Sequence, residues 1–146
     1  MEIPVNEDFC VVLALTHGVA AVGRLDLAKL AAGAIKADMA GDQRWKSMDA
    51  GRGVNNALQE LLRGRHTEIK VEKHFACPRK RIHDVAHQWL LDEERRGVYI
   101  CFAKFHAIMV DADARKIYDP CFPTSMALSA EAICKYPLAE KCWRLS

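Results

Sequence analysis

The sequence lacks a strong excess of charge of either sign. Its 146 residues include 21 Lys and Arg against 19 Asp and Glu, which gives a formal net charge of +2. Nucleic-acid-binding chains typically carry a basic excess or a basic stripe. Short basic clusters occur at Arg63 and Arg65 and at Arg79–Arg81, and we interpret them as solvated faces. The composition therefore predicts no nucleic-acid partner.

The chain also lacks a segment that predicts membrane insertion or export. The apolar stretch FCVVLALTHGVAAVG, residues 9–23, is shorter than the roughly 20 residues that a membrane-spanning helix needs. The preceding residues, MEIPVNED, contain acids and no base, which is the wrong charge for a signal peptide. We therefore expect no membrane partner and a cytoplasmic location, in the producing cell or in a host.

Internal repeats and low-complexity segments are absent too, and the length suits a single domain spanning residues 1–146. Cysteine, in contrast, is plentiful, with six residues. In a small secreted protein this number would suggest disulfides. Here Cys10 and Cys101 stand inside apolar runs, which is typical of buried thiols in a reducing compartment.

Hydrophobic periodicity predicts helices in the first two-thirds of the chain and strands afterwards. The predicted helices are 6–18, 24–41, 53–64, 78–96 and a short 129–137. The predicted strands are 67–75, 98–102, 106–111, 116–120 and 141–145. Gly18 is expected to end the first helix, whose apolar residues cover every side. Helices followed by a small antiparallel sheet indicate an α+β fold.

Three residues in separate elements suggest thiol chemistry. Cys10 falls in the first turn of its helix, where unpaired N–H groups and the helix dipole lower a thiol pKa and favour the thiolate. His106 opens an apolar strand, and Asp119 closes the next one, so the two can lie side by side. Cys10 is then the candidate nucleophile, His106 the general base and acid, and Asp119 the orienting residue. The backbone N–H of Cys10 is a candidate oxyanion donor.

The motifs HAIMVD, which His106 opens, and YDP, which contains Asp119, follow the N-terminal cysteine helix in this order. This arrangement resembles the papain-like cysteine peptidases of the compact Cys-His-Asp type, among them bacteriocin-processing peptidases and papain-like bacterial effector or viral proteases. The resemblance implies a papain-like fold, thiol-dependent cleavage or acyl transfer on a protein or peptide substrate, and no cofactor. These families usually place a Gln before the cysteine. Here Asn6 is the nearby amide and the corresponding oxyanion candidate.

Two other functions remain open on the sequence. Glu7 and Asp8 oppose thiolate formation, and Val11 replaces the Gly or Trp that often follows the cysteine, which would suit a non-catalytic protein-binding module. A small zinc-binding interaction domain is the other alternative. Its tetrahedral N and S ligands would be His74, Cys77, His83 and His87. The short spacing between these ligand pairs leads us to expect no metal there. Cys121 is expected near Asp119 at the cleft, and the oligomeric state is not predicted.

Overall fold

The computed structural model describes residues 2–49, 53–74 and 82–146. Its α-helices are α1 (Cys10–Ala21), α2 (Leu25–Ala40), α3 (Val54–Leu61), α4 (Ile82–Leu91) and α5 (Ala130–Ile133). Short 3-10 turns cover Glu7–Phe9 and Arg65–Glu68. Within these ranges no helix combines the length and the apolar character that crossing a bilayer requires.

The strands form one six-stranded antiparallel sheet. They are β1 (Val71–Lys73), β2 (Val98–Ala103), β3 (His106–Asp111), β4 (Lys116–Tyr118), β5 (Met126–Ala127) and β6 (Leu138–Leu145). Their order across the sheet is β1-β6-β2-β3-β4-β5. The prediction of an α+β fold with an antiparallel sheet is confirmed, although α4 follows β1 and α5 stands between β5 and β6.

Both faces of the sheet are covered, which explains the unbroken apolar run of β2. Val98, Ile100 and Phe102 belong to the core that the sheet shares with α1, α2 and α3. Tyr99 and Cys101 point to the opposite face, where α4 and α5 contribute to a second core. Helix α1 lies between β2, β3 and the other N-terminal helices, so the prediction that it is buried on every side is confirmed for most of its length.

The expectation that Gly18 ends the first helix is wrong. Helix α1 continues to Ala21, and the left-handed Gly23, with φ of 88°, follows it. A Cβ atom at position 18 would lie 2.7 Å from Leu145 Cδ1 and 3.0 Å from Ile100 Cδ1. Glycine at this position therefore permits the close approach of α1 to the sheet, and this tertiary requirement outweighs its low helix propensity.

Several other boundaries differ from those predicted. The strand predicted at 67–75 is limited to β1, because Arg65–Glu68 forms a 3-10 turn. Strand β6 begins at Leu138, earlier than predicted, because its first residue pairs with Ala103 of β2. Helix α4 ends at Leu91 and not at residue 96, since Arg95 and Arg115 donate hydrogen bonds to the carbonyls of Trp89 and Leu91 at its end. Its predicted start at Pro78 lies outside the described residues.

Candidate active site

The 3-10 turn before α1 brings Cys10 to the first position of that helix. The side-chain oxygen of Asn6 accepts a hydrogen bond from the backbone N–H of Asp8 at 2.9 Å and caps this turn. The backbone N–H of Asn6 donates to the carbonyl of Pro120 at 3.1 Å. This second bond joins the segment ahead of Cys10 to the predicted Asp-Pro pair, although these segments are far apart in the sequence.

The antiparallel pairing of β3 with β4 brings His106 and Asp119 together. His106 is the first residue of β3, and Asp119 follows the last residue of β4. His106 Nε2 lies 2.9 Å from Asp119 Oδ1. The side chain of Asp119 is 5% exposed and that of His106 is 20% exposed, so water screens this contact poorly.

The Asp119 carboxylate receives two further hydrogen bonds. The Tyr136 hydroxyl donates to Oδ2 at 2.6 Å, and the backbone N–H of Cys121 donates to Oδ1 at 2.9 Å. Burial raises the pKa of Asp119, but these donors and the His106 charge outweigh it and hold the pKa below its ordinary value. Asp119 is therefore ionised at neutral pH and can only accept hydrogen bonds.

This charge state determines the tautomer of His106. Because the carboxylate only accepts, Nε2 of His106 carries the hydrogen, and Nδ1 of the neutral ring has the free lone pair. The Tyr136 ring stacks on the imidazole, with centroids 6.1 Å apart and planes 17° apart. His87 Nε2 lies 2.6 Å from the Tyr136 carbonyl oxygen and so ties that residue to α4. The imidazole is thus oriented by Asp119 and packed by Tyr136.

Cys10 and His106 line the same cavity, whose volume is about 570 Å³. The backbone N–H of Ala107, the residue after His106, is directed at the Cys10 thiol and favours its ionised form. The cysteine at the start of α1 therefore lies beside the start of β3. Cys10 and His106 therefore share one cavity, and Asp119 contacts His106 beside it.

The pKa of Cys10 is shifted in the direction opposite to the one expected. Burial is the largest influence and raises this pKa, while the N–H groups of Ala107, Val11 and Cys10 itself lower it and the charge of Asp119 raises it further. The net pKa lies above the ordinary value. Cys10 is only 8% exposed, so loss of solvation disfavours its thiolate more than the sequence indicates. The resting thiol is neutral, and a base must remove its proton.

Asn6 lies next to this corner of the fold. Its side-chain oxygen is used as a cap, so the amide nitrogen is the part of the side chain that remains for an oxyanion. Its role as an oxyanion donor stays a prediction, together with that of the Cys10 backbone N–H.

Two residues of this site, Tyr136 and Phe105, were not predicted from the sequence. Tyr136 holds the carboxylate of Asp119, yet it is 17 residues further along the chain and belongs to no recognisable motif. Phe105 lines the cavity from the β2–β3 turn, is 92% exposed and has a φ of 59°. A bulky residue in the left-handed region is a backbone outlier of the kind that clusters at functional sites. An aromatic residue just before the strand-opening histidine was the available signal.

The zinc ligands suggested by the sequence fall partly outside the described residues, namely Cys77 and the side chain of His83. The His74 ring packs against Trp89 and Tyr99, with centroid distances of 5.9 and 5.8 Å. His87 contacts the Tyr136 carbonyl as described above. The expectation of no metal in this cluster stays a prediction.

A different set of metal-ligand types meets at the candidate active site. One ligand atom each from His106, Asp119 and Cys121 lie within 4.8 Å of one another. The expected proximity of Cys121 to Asp119 is therefore observed. Cys121 is half-buried, whereas Cys134 is exposed.

Comparisons with known proteins supply no relative: no family model, no curated protein and no solved structure matches the chain. The resemblance to papain-like peptidases accordingly stays a prediction from the sequence.

Proposed function

We propose that the protein is a thiol-dependent peptidase or acyltransferase with a papain-like fold. Cys10 is the nucleophile, His106 the general base and acid, and Asp119 the orienting residue. The observation that carries the proposal is the 2.9 Å contact between His106 Nε2 and Asp119 Oδ1, at a cavity that Cys10 also lines. Its support is that three residues from three elements come together in the roles that thiol catalysis requires.

The first half of the reaction begins from a neutral thiol. His106 Nδ1 takes the proton of Cys10 as the sulfur attacks the substrate carbonyl carbon and forms a C–S bond. Asp119 stabilises the resulting imidazolium through Nε2–H. The oxyanion that develops on the substrate is stabilised by the Cys10 backbone N–H and the Asn6 amide.

The second half releases both products. The imidazolium of His106 gives its proton to the leaving nitrogen, the C–N bond breaks, and a thioester to Cys10 remains. Water then attacks the thioester and transfers a proton to His106, the C–S bond breaks, and the imidazolium returns that proton to the Cys10 sulfur, which re-forms the thiol. An amine in place of water gives acyl transfer with the same proton movements.

The cavity walls suggest what kind of peptide is bound. Apolar side chains line much of the cavity beside Cys10, namely Val11, Met48, Phe102, Ala103 and Phe105. Burying an apolar side chain there removes it from water, which favours binding. We expect a protein or peptide substrate with an apolar residue next to the bond that is cleaved.

A non-catalytic binding module is the second candidate. The observation that favours it is the raised pKa of Cys10, because a neutral thiol is a weak nucleophile without assistance. The same cavity would then hold a peptide without cleaving it.

Digestion of a peptide mixture, read by mass spectrometry, separates these functions. Wild-type protein is compared with Cys10→Ser and with Cys134→Ser, which replaces an exposed thiol at the end of α5. We expect cleavage by the wild type and by Cys134→Ser, loss of cleavage in Cys10→Ser, and an acyl adduct on Cys10 after acid quenching. Absence of cleavage by the wild type, or equal cleavage by Cys10→Ser, would refute the peptidase.

A further inference from the structure

The thiol of Cys121 lies against the two residues that the proposed mechanism pairs. Ligand atoms of Cys121, His106 and Asp119 are all within 4.8 Å of one another. Tetrahedral zinc, with bonds of about 2.0–2.3 Å, separates its ligand atoms by roughly 3.3–3.8 Å. The three atoms therefore lie within about 1 Å of the spacing that a single zinc ion requires.

We propose that His106, Asp119 and Cys121 form a Zn²⁺-binding site whose occupation blocks the candidate active site. The metal binding is a property of these three side chains alone. The inhibitory consequence rests on the proposed function, because it requires that His106 and Asp119 take part in catalysis.

The donor set suits zinc better than harder cations. One nitrogen, one carboxylate oxygen and one sulfur match the preferences of Zn²⁺, whereas Mg²⁺ and Ca²⁺ prefer oxygen ligands. Zinc replaces the thiol proton of Cys121, which passes to solvent. The thiolate and the Asp119 carboxylate then balance the charge of the ion.

The surroundings of Asp119 support this role. The Tyr136 hydroxyl occupies Oδ2, and the backbone N–H of Cys121 fixes the carboxylate from the other side. Hydrogen bonds of this kind orient ligands around metal ions in proteins. Oδ1 accepts from the Cys121 N–H and also faces His106, so its lone pair on the His106 side is the one available to the ion.

Metal binding and catalysis use the same atoms. In the proposed mechanism a hydrogen lies between His106 Nε2 and Asp119 Oδ1. An ion held by these two residues takes the place of that hydrogen, which moves to His106 Nδ1. Nδ1 then has no lone pair with which to accept the proton of Cys10. Zinc-bound protein is therefore expected to be inactive.

Zinc affinity is measured by competition with a chromophoric chelator in the Cys10→Ala background, where the result does not depend on activity. We expect one equivalent of Zn²⁺. The second substitution Cys121→Ser, which keeps a hydrogen-bond donor, is expected to weaken zinc binding at least about tenfold in this background. Adding Cys134→Ser, at an exposed thiol, is expected to leave the affinity unchanged. Absence of stoichiometric zinc, or equal affinity with and without Cys121→Ser, would overturn the proposal.

Three further measurements complete the test. The thiolate-to-metal absorption of the Co²⁺-substituted protein should disappear in Cys121→Ser. If zinc binding is lost in His83→Ala but retained in Cys121→Ser, this site is refuted. Zinc should also inhibit peptide cleavage by the wild type. Stoichiometric zinc binding that depends on Cys121, without any peptidase activity, supports the metal site and refutes the peptidase. Peptide cleavage without zinc binding supports the peptidase and refutes the metal site.

Discussion

The imidazole of His106 and the carboxylate of Asp119 are in hydrogen-bond contact at 2.9 Å, although they are 13 residues apart in the chain. Strands β3 and β4 pair antiparallel from Met109–Tyr118 to Asp111–Lys116, so the start of β3 and the residues after β4 lie at the same end of the sheet. The contact is largely shielded from water and sets the tautomer of the imidazole.

Replacing Asp119 by Asn should lower turnover by on the order of 10²–10⁴-fold, because an amide can donate to Nε2 and move the hydrogen of His106 onto Nδ1. Nδ1 then cannot accept the thiol proton. Peptide turnover and circular dichroism are measured together, with the exposed Asp42→Asn as the matched control. If Asp119→Asn unfolds the protein with no separate catalytic loss, Asp119 is a structural turn residue.

Replacing Tyr136 by Phe removes the hydroxyl that donates to Asp119 Oδ2. A buried acceptor loses its partner, so we expect the free energy of unfolding at pH 7 to fall by about 1–3 kcal/mol. The folded-state pKa of Asp119 is depressed, so its stabilisation is present above the unfolded-state pKa and disappears as the pH falls through the folded-state pKa.

The difference between Tyr136→Phe and wild type should therefore shrink when urea unfolding is repeated at about pH 3. Tyr118→Phe is the matched control, since no hydroxyl hydrogen bond of Tyr118 is seen within the described residues, and it should change stability by less than about 0.5 kcal/mol. An equal loss in both variants, or a difference that does not vary with pH, would contradict the role of Tyr136.

Alkylation of Cys10 by iodoacetamide should accelerate with pH up to and beyond the ordinary titration range of a thiol. Burial raises the pKa of Cys10 and outweighs the backbone N–H groups near the sulfur. The rate is followed at each cysteine by mass spectrometry from pH 5 to about pH 10. A plateau of Cys10 reactivity that extends below pH 7 would instead reveal a thiolate–imidazolium pair in the resting protein.

Alanine at two helical glycines should change stability in opposite directions. A Cβ atom added at Gly33 in α2 would meet nothing within 4 Å, so Gly33→Ala should stabilise the protein by about 0.5–1 kcal/mol. At Gly18 the added methyl meets Leu145 and Ile100, and the overpacking, typically about 1–3 kcal/mol, should exceed that gain. Chemical denaturation of both variants checks the signs. Stabilisation by Gly18→Ala would show that the contact with the sheet relaxes easily.

His17 should make the protein less stable as the pH falls below about 6.5. Burial lowers its pKa from 6.5 to about 4, in a cavity of about 640 Å³ that Asp111, Tyr118 and Glu2 also line. Between these two pH values the unfolded chain binds a proton that the folded protein does not. The free energy of unfolding therefore decreases as the pH is lowered from 6.5, and it levels off below about pH 4.

Relative to His17→Gln, which cannot titrate, the wild type should lose on the order of 2–3 kcal/mol between pH 7 and pH 4. Urea unfolding of both proteins at several pH values measures this difference. A constant difference across the range would show that His17 titrates alike in the folded and unfolded states.

The sequence by itself determined the class of the fold and the order of most of its elements, whereas β5 was not predicted. Helical and strand periodicities are local properties, so α2, β2 and β3 were predicted near their observed bounds. The sequence also predicted that His106 and Asp119 lie close together, because the start of one strand and the end of the next come to the same end of an antiparallel pair. The order of the motifs added Cys10 as the candidate nucleophile.

Only the tertiary structure decided which residues contact Cys10, His106 and Asp119 and in which direction their surroundings shift the pKa of Cys10. The hydrogen bond from Tyr136 to Asp119 could not be predicted, because no sequence motif includes Tyr136. Gly18 lies inside α1 where the helix packs closely against the sheet, and not at the end of the helix. The raised pKa of Cys10 depends on the surrounding core. Desolvation and close packing arise from all the elements that surround a residue, so local pattern cannot encode them.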